Sequence, residues 1–170
     1  MADACLYLAS VPVFRRYFGQ SAGWFERAQA HGGDALLQAR LAPDMLCFSE
    51  QMATAAHFSL RASYPLAGLP VPAFDSAPAT WTGLYVRWAR VAALLDVLDP
   101  LAFAGAEARV IHADAGQATL SLDGATFLHQ FALPNFHFHL AMAYAILRQQ
   151  GVPLGKADVD GFHRYPAVAA

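Results

Sequence analysis

Apolar side chains recur at helical spacing over most of this chain, and the interruptions divide it into four long segments. Leu6, Ser10, Phe14, Tyr17, Ser21, Phe25 and Ala28 follow one another at steps of three and four, which predicts one buried stripe on a first helix that His31-Gly32-Gly33 ends. A short helical connector is expected from Asp34 to Leu41. Pro43 suits the first position of a second helix, with Asp44 favourably placed at its positive end, and that helix should run to Ser63, before Tyr64-Pro65. Between Pro65 and Ala79 stand four prolines, Pro65, Pro70, Pro72 and Pro78, so this stretch is expected to be a crossover rather than an element. Thr80 then caps the most periodic segment, carried by Trp81, Leu84, Tyr85, Trp88, Val91, Ala92, Leu95 and Leu98.

After the third helix the period changes from helical to alternating. The runs 108–112 and 117–122 flank Ala113-Asp114-Ala115-Gly116 and predict a short hairpin. A fourth helical pattern starts near Asp123, carries Phe127, Phe131, Phe138, Ala141 and Ala145 on one face, and stops at Gly151 and Pro153. Pro134 should kink or split it. The pattern therefore predicts an all-α fold, a four-helix bundle with a short β-hairpin between helices 3 and 4.

Composition narrows the class. With 170 residues, 56% of them apolar, the chain can bury one substantial core, so a single domain over 1–170 is expected. Eleven basic residues against thirteen acidic ones, without a Lys/Arg run, argue against nucleic acid and against an anionic membrane surface as partners. No apolar stretch is long enough to span a bilayer. Cys5 and Cys47 form no paired motif and read as buried thiols of a cytoplasmic protein. The apolar stretch from Ala4 to Phe14 runs into Arg15 and Arg16, the reverse of a secretory signal.

Candidate chemistry concentrates on the second and fourth helices. Asp44, Cys47, Gln51, Ala55 and Phe58 share a stripe, and the two polar members on an apolar face suggest an internal polar pocket. Asn135 and His139 are four apart and share a face, while His137 lies about 200° round from His139 and groups with Tyr144 and Arg148. The His-x-His pair is therefore no chelate on a helix. His57 points away from Gln51, in line with Glu50 and Thr54. Tyr144, Arg148, Lys156 and Asp158 either gate the pocket or fasten the C-terminal tail, the tail being favoured. The sequence holds no Gly-rich phosphate loop, no Gly-x-Ser-x-Gly elbow and no Cys cluster for a metal.

Four strings carry a family resemblance: Arg40-Leu41-Ala42-Pro43-Asp44-Met45, Leu133-Pro134-Asn135-Phe136-His137-Phe138-His139, Ala143-Tyr144-Ala145-Ile146-Leu147-Arg148 and Gly151-Val152-Pro153-Leu154-Gly155-Lys156. Over roughly Leu6 to Asp158 the chain resembles a bacterial domain-of-unknown-function family, the one numbered nineteen-ninety-three, a branch of the DinB/YfiT-like superfamily. That resemblance implies a four-helix bundle, a homodimer and, in many members, a metal held by three histidines. The superfamily's ligand places fall near Gln51, Asn135 and His139, where only the last is a histidine and the amides are weak ligands for zinc or nickel. Superfamily activities include metal-dependent transferases and isomerases acting with low-molecular-weight thiols.

The leading expectation is a degenerate metal site that persists as a polar inter-helix pocket of Asp44, Gln51, Asn135 and His139, binding a small-molecule ligand or supporting assembly. One alternative is a metal-dependent enzyme, a thiol transferase or hydrolase of the DinB type, in which His139, with Asp44 or His57, holds a divalent zinc or nickel ion. A third treats the same residues as pure structure.

Overall fold

The structure, a computed structural model, describes residues 5–163. Four long helices pack side by side: α1 (Cys5–Gly32), α2 (Phe48–Leu66), α3 (Trp81–Asp96) and α4 (Leu133–Gln149). A hairpin of β1 (Val110–Ala115) and β2 (Ala118–Asp123) stands between α3 and α4, and a short α5 (Lys156–Asp160) follows.

The predicted stripe of α1 is buried except for Tyr17, which is half-buried. Val11, Phe18 and Trp24 join it because α1 is covered from two sides. Phe18 stacks on Trp88 of α3 at 4.1 Å, and Phe14 meets Phe136 of α4 edge-on at 4.8 Å. Gly33, with φ 60°, turns the chain out of α1 into a 3-10 turn, Gly33–Gln38.

The second helix starts later than its sequence suggests. Pro43 and Asp44 lie in a turn, and α2 begins at Phe48, where the Glu50 carboxylate accepts the Cys47 N–H at 2.8 Å. A carboxylate reaching back to the N-cap backbone satisfies a donor that Pro43 and Asp44 could not. At its other end α2 runs through Pro65 to Leu66. Most of α2 is buried, with alanines and serines allowing close approach, and its most extensive partner is α4.

Residues 67–80 are irregular, as the prolines require. Thr80 Oγ1 accepts the Gly83 N–H at 3.1 Å and caps α3, whose Trp81, Leu84, Trp88, Val91 and Leu95 are buried. The hairpin strands run further than predicted, leaving Gly116-Gln117 as a two-residue turn with Gly116 at φ 64°. Arg61 ties this hairpin to α2 by donating to the Asp114 carbonyl at 2.6 Å. Gly124 packs under the Ala106 carbonyl, which a Cβ would approach to 2.0 Å, so only glycine fits where the chain leaves the hairpin.

The helical pattern divides just before Pro134, which sits in the first turn of α4. One α-turn, Gly124–Thr126, leads into a π-helical turn, Phe127–Ala132, that feeds directly into α4. There the Leu133 N–H reaches the Leu128 carbonyl, five residues back. The wider turn accommodates a proline that offers no N–H and whose ring would crowd the carbonyl four residues back. It also moves the buried face. Phe127, Ala132, Phe136, Leu140, Ala143 and Leu147 form it, opening with a step of five, so Phe138 and Ala141, expected inside, are exposed.

Among the described residues no helix is long and apolar enough to cross a membrane. Cys47 is buried as expected, whereas Cys5 is exposed.

Candidate functional site

Gln51 and His139, separated by 88 positions in sequence, meet where α2 crosses α4. His139 Nδ1 and Gln51 Oε1 are 2.7 Å apart, and Gln51 is 2% exposed. The Gln51 amide is itself oriented, because its Nε2 donates to the Leu46 carbonyl at 3.3 Å. With that nitrogen committed, Oε1 faces the imidazole as an acceptor, and Nδ1 must be the donor. Burial holds the His139 pKa below the usual imidazole range, which favours the neutral ring. A neutral ring protonated at Nδ1 keeps its lone pair on Nε2. That atom has no hydrogen-bond partner among the described residues, where the fully buried unpaired side-chain atoms are Ser63 Oγ and Trp81 Nε1. Nε2 therefore reaches the surface.

Aromatic rings frame it. Phe58 stacks on the imidazole at 5.6 Å and 19°, and Phe138 meets it edge-on at 5.2 Å. Phe138 is 51% exposed, so an apolar ring borders the imidazole at the surface.

The four residues expected to share a pocket divide into three settings. Gln51 and His139 are in direct contact. Asn135 is half-buried one turn before His139 and donates its Nδ2 to the Phe131 carbonyl at 2.7 Å, satisfying a backbone acceptor beside the π turn. Asp44 is exposed in the turn before α2 and is not part of the group. It fails to join because the helix that would have carried it inward starts four residues later, at Phe48. His137 faces α1, with its ring 5.0 Å from Tyr17, so the two imidazoles of the His-x-His pair point to different helices. Sequence reasoning missed Leu46, whose backbone carbonyl orients Gln51 and leaves no side-chain signature, and Phe138, which only the π turn brings outward.

Three histidines at the superfamily's ligand places would need three imidazole donors. Here Gln51 Oε1 accepts the imidazole N–H, Asn135 offers only a neutral amide oxygen, a weak ligand, and of the three only His139 offers a nitrogen lone pair. No group of three His, Cys, Asp or Glu side chains able to hold a metal ion occurs among the described residues. The residues present do not fit the three-histidine centre.

The C-terminal residues act as a fastening. Asp158 pairs with Arg27 at 3.0 Å and its carbonyl accepts the Trp24 indole N–H at 2.9 Å, while Tyr144 packs on Trp24 and Arg148 donates to the Val152 carbonyl at 3.3 Å.

Comparison with known proteins agrees with this architecture. A crystal structure of a DinB family member protein from Shewanella denitrificans superposes with a TM-score of 0.82, at 30% identity and with 96% of each chain covered. No curated protein matches. Residues 6–159 match the family described as Domain of unknown function (DUF1993), and the chain belongs to that family, built as a DinB-type helical bundle with a hairpin before its last long helix.

Proposed function

We propose that this bundle binds a small donor-bearing molecule at the seam of α2 and α4, using His139 Nε2 as a fixed hydrogen-bond acceptor in place of metal chemistry. The observation that carries the reading is the relay from the Leu46 carbonyl through the Gln51 amide to His139 Nδ1, which sets the tautomer and leaves Nε2 accessible. An acceptor held in one orientation costs little to organise on binding, and its aromatic neighbours suit a ligand with an apolar body. Asn135 Oδ1, one turn away on the same helix face, offers a second acceptor once Nδ2 is committed to the Phe131 carbonyl. Hydroxyl, amine or amide ligands match such a pair.

Imidazole nitrogen NMR with phenol, aniline and donor-free anisole tests this. The expected result is an Nδ1–H tautomer for His139 near neutral pH, with Nε2 shifted by phenol and aniline and not by anisole, and no response in His139→Phe. An Nε2–H tautomer, or equal responses to phenol and anisole, would overturn the reading. Homodimerisation is proposed alongside it, supported by the exposed Phe138 beside the site. Sedimentation of wild type against Phe138→Ser would show dimer loss if a second copy covers this patch, and an unchanged monomer would reject it.

A further inference from the structure

A second polar stripe on α2, Glu50, Thr54, His57 and Arg61, faces away from Gln51 and forms the floor of a cleft under the proline-rich crossover. Two adjoining cavities, of about 250 and 390 Å³, share His57 and Phe74 in their walls. The first extends toward Arg87 of α3, the second toward the hairpin at His112 and Asp114. The larger of the two is in the size range of small-molecule sites.

The cations around this cleft are bound by backbone carbonyls rather than by carboxylates. Arg87 Nη2 donates to the Asp75 and Ser76 carbonyls at 2.6 and 2.8 Å, and Arg61 Nη2 to the Asp114 carbonyl at 2.6 Å. Neither has a carboxylate oxygen within ion-pair distance among the described residues, nor does Arg90. Carbonyls place a guanidinium without cancelling its charge. Arg87 and Arg90 lie over the Phe74 ring at 5.3 and 4.7 Å, and His57 is 6.4 Å from the same ring. The carboxylates that line the cleft have other tasks: Glu50 caps α2, Asp114 accepts the Thr119 hydroxyl at 3.4 Å, and Asp75 acts on Arg87 from beyond ion-pair distance.

We infer that this cleft is a binding site for a small organic anion, a carboxylate or phosphate whose charge is read by Arg61, Arg87 and His57 and whose apolar body lies against Phe74. Guanidinium donors left over after the carbonyl bonds suit such an anion, since charge-assisted hydrogen bonds are the strong ones. The cleft adjoins the seam, with Leu46 in its wall and Arg61 lying over the Phe58 ring at 4.8 Å, but neither Gln51 nor His139 lines it.

His57 supplies a second signature. Burial, then the charges of Arg61 and Arg87, hold its pKa low, which favours the neutral imidazole. Glu50 and Arg61 from α2, Asp75 from the crossover, Arg87 from α3, and His112 and Asp114 from the hairpin are the charged and titratable groups facing it. An anion seated there favours the imidazolium, so binding takes up a proton and tightens as pH falls.

The test titrates the full chain with phenyl phosphate, benzoate, inorganic phosphate and uncharged benzyl alcohol, following His57 and Phe74 by NMR. Phenyl phosphate or benzoate should bind on the order of tenfold more tightly than benzyl alcohol, since one charge-assisted hydrogen bond contributes that much. Arg87→Gln should remove the preference and Arg87→Lys retain most of it, which separates charge recognition from collapse of the crossover. Whichever of the two aromatic anions wins identifies the headgroup. Equal affinity for benzyl alcohol, wild-type affinity in Arg87→Gln, or shifts confined to His139 would overturn the inference, and the last would assign the anion to the seam.

Discussion

Removing the Gln51 amide measures how much the α2–α4 seam depends on its polar pair. In Gln51→Met the side-chain length is kept while His139 Nδ1–H and the Leu46 carbonyl lose partners at 2.7 and 3.3 Å. Leaving a buried donor unpaired costs about 1–3 kcal/mol, and the longer bond adds less. Burying an apolar chain at a position only 2% exposed offsets part of that loss, so the single mutant alone is ambiguous. A double-mutant cycle with His139→Phe, which keeps the ring against Phe58, removes the ambiguity. Urea unfolding should give a coupling of about 1–2 kcal/mol, and the Gln51→Met melting temperature should fall by roughly 2–6 °C. Additive effects, within about 0.3 kcal/mol, would refute the claim that the imidazole and the amide act as a unit.

Ser63 is fully buried with its hydroxyl unpaired, unlike Ser10, Ser21 and Ser59, which bond to carbonyls of their own helices. Ser63→Ala should therefore stabilise the protein, by about 1 kcal/mol in urea, whereas Ser59→Ala should not. His57, His137 and His139 all have imidazole pKa values lowered by burial, so the unfolded chain binds more protons below about pH 6.5. Stability should fall as the pH drops from there through the depressed folded values; a curve that rose instead would contradict these burials. At the C-terminal fastening, Trp24→Phe should cost about 1 kcal/mol through loss of the Asp158 carbonyl bond, more than Arg27→Ala, whose ion pair is half exposed. Thermal unfolding would show the order.

What the sequence made legible, and what it hid, follows from where each signal resides. The stripe of α1 and the Thr80 cap are local, so spacing and residue type were enough to find them, whereas the hairpin was found with its turn placed too early, over 113–116 instead of Gly116-Gln117. Pro43 misled because a proline suits the first turn of a helix and a tight bend equally well, and the deciding feature was Glu50 reaching back to Cys47. Pro134 marked the break but not its form: a π turn precedes it and shifts the buried face of the following helix, a change that no fixed helical period anticipates. The pairing of Gln51 with His139 was accessible through the resemblance, which put both at one superfamily site, while their hydrogen bond depends on how two helices cross. His57, kept only as an alternative metal ligand, does not share a face with Gln51. The structure agrees on that point and gives the histidine a cleft of its own.

Metal content of freshly purified protein, grown with and without added zinc or nickel, tests the central claim that a hydrogen-bonded pair stands where the superfamily places a metal. Wild type and His139→Ala should both carry well under one equivalent per chain, with no difference between them. One equivalent in wild type that disappears in His139→Ala would contradict the account and establish a metal centre built on that imidazole.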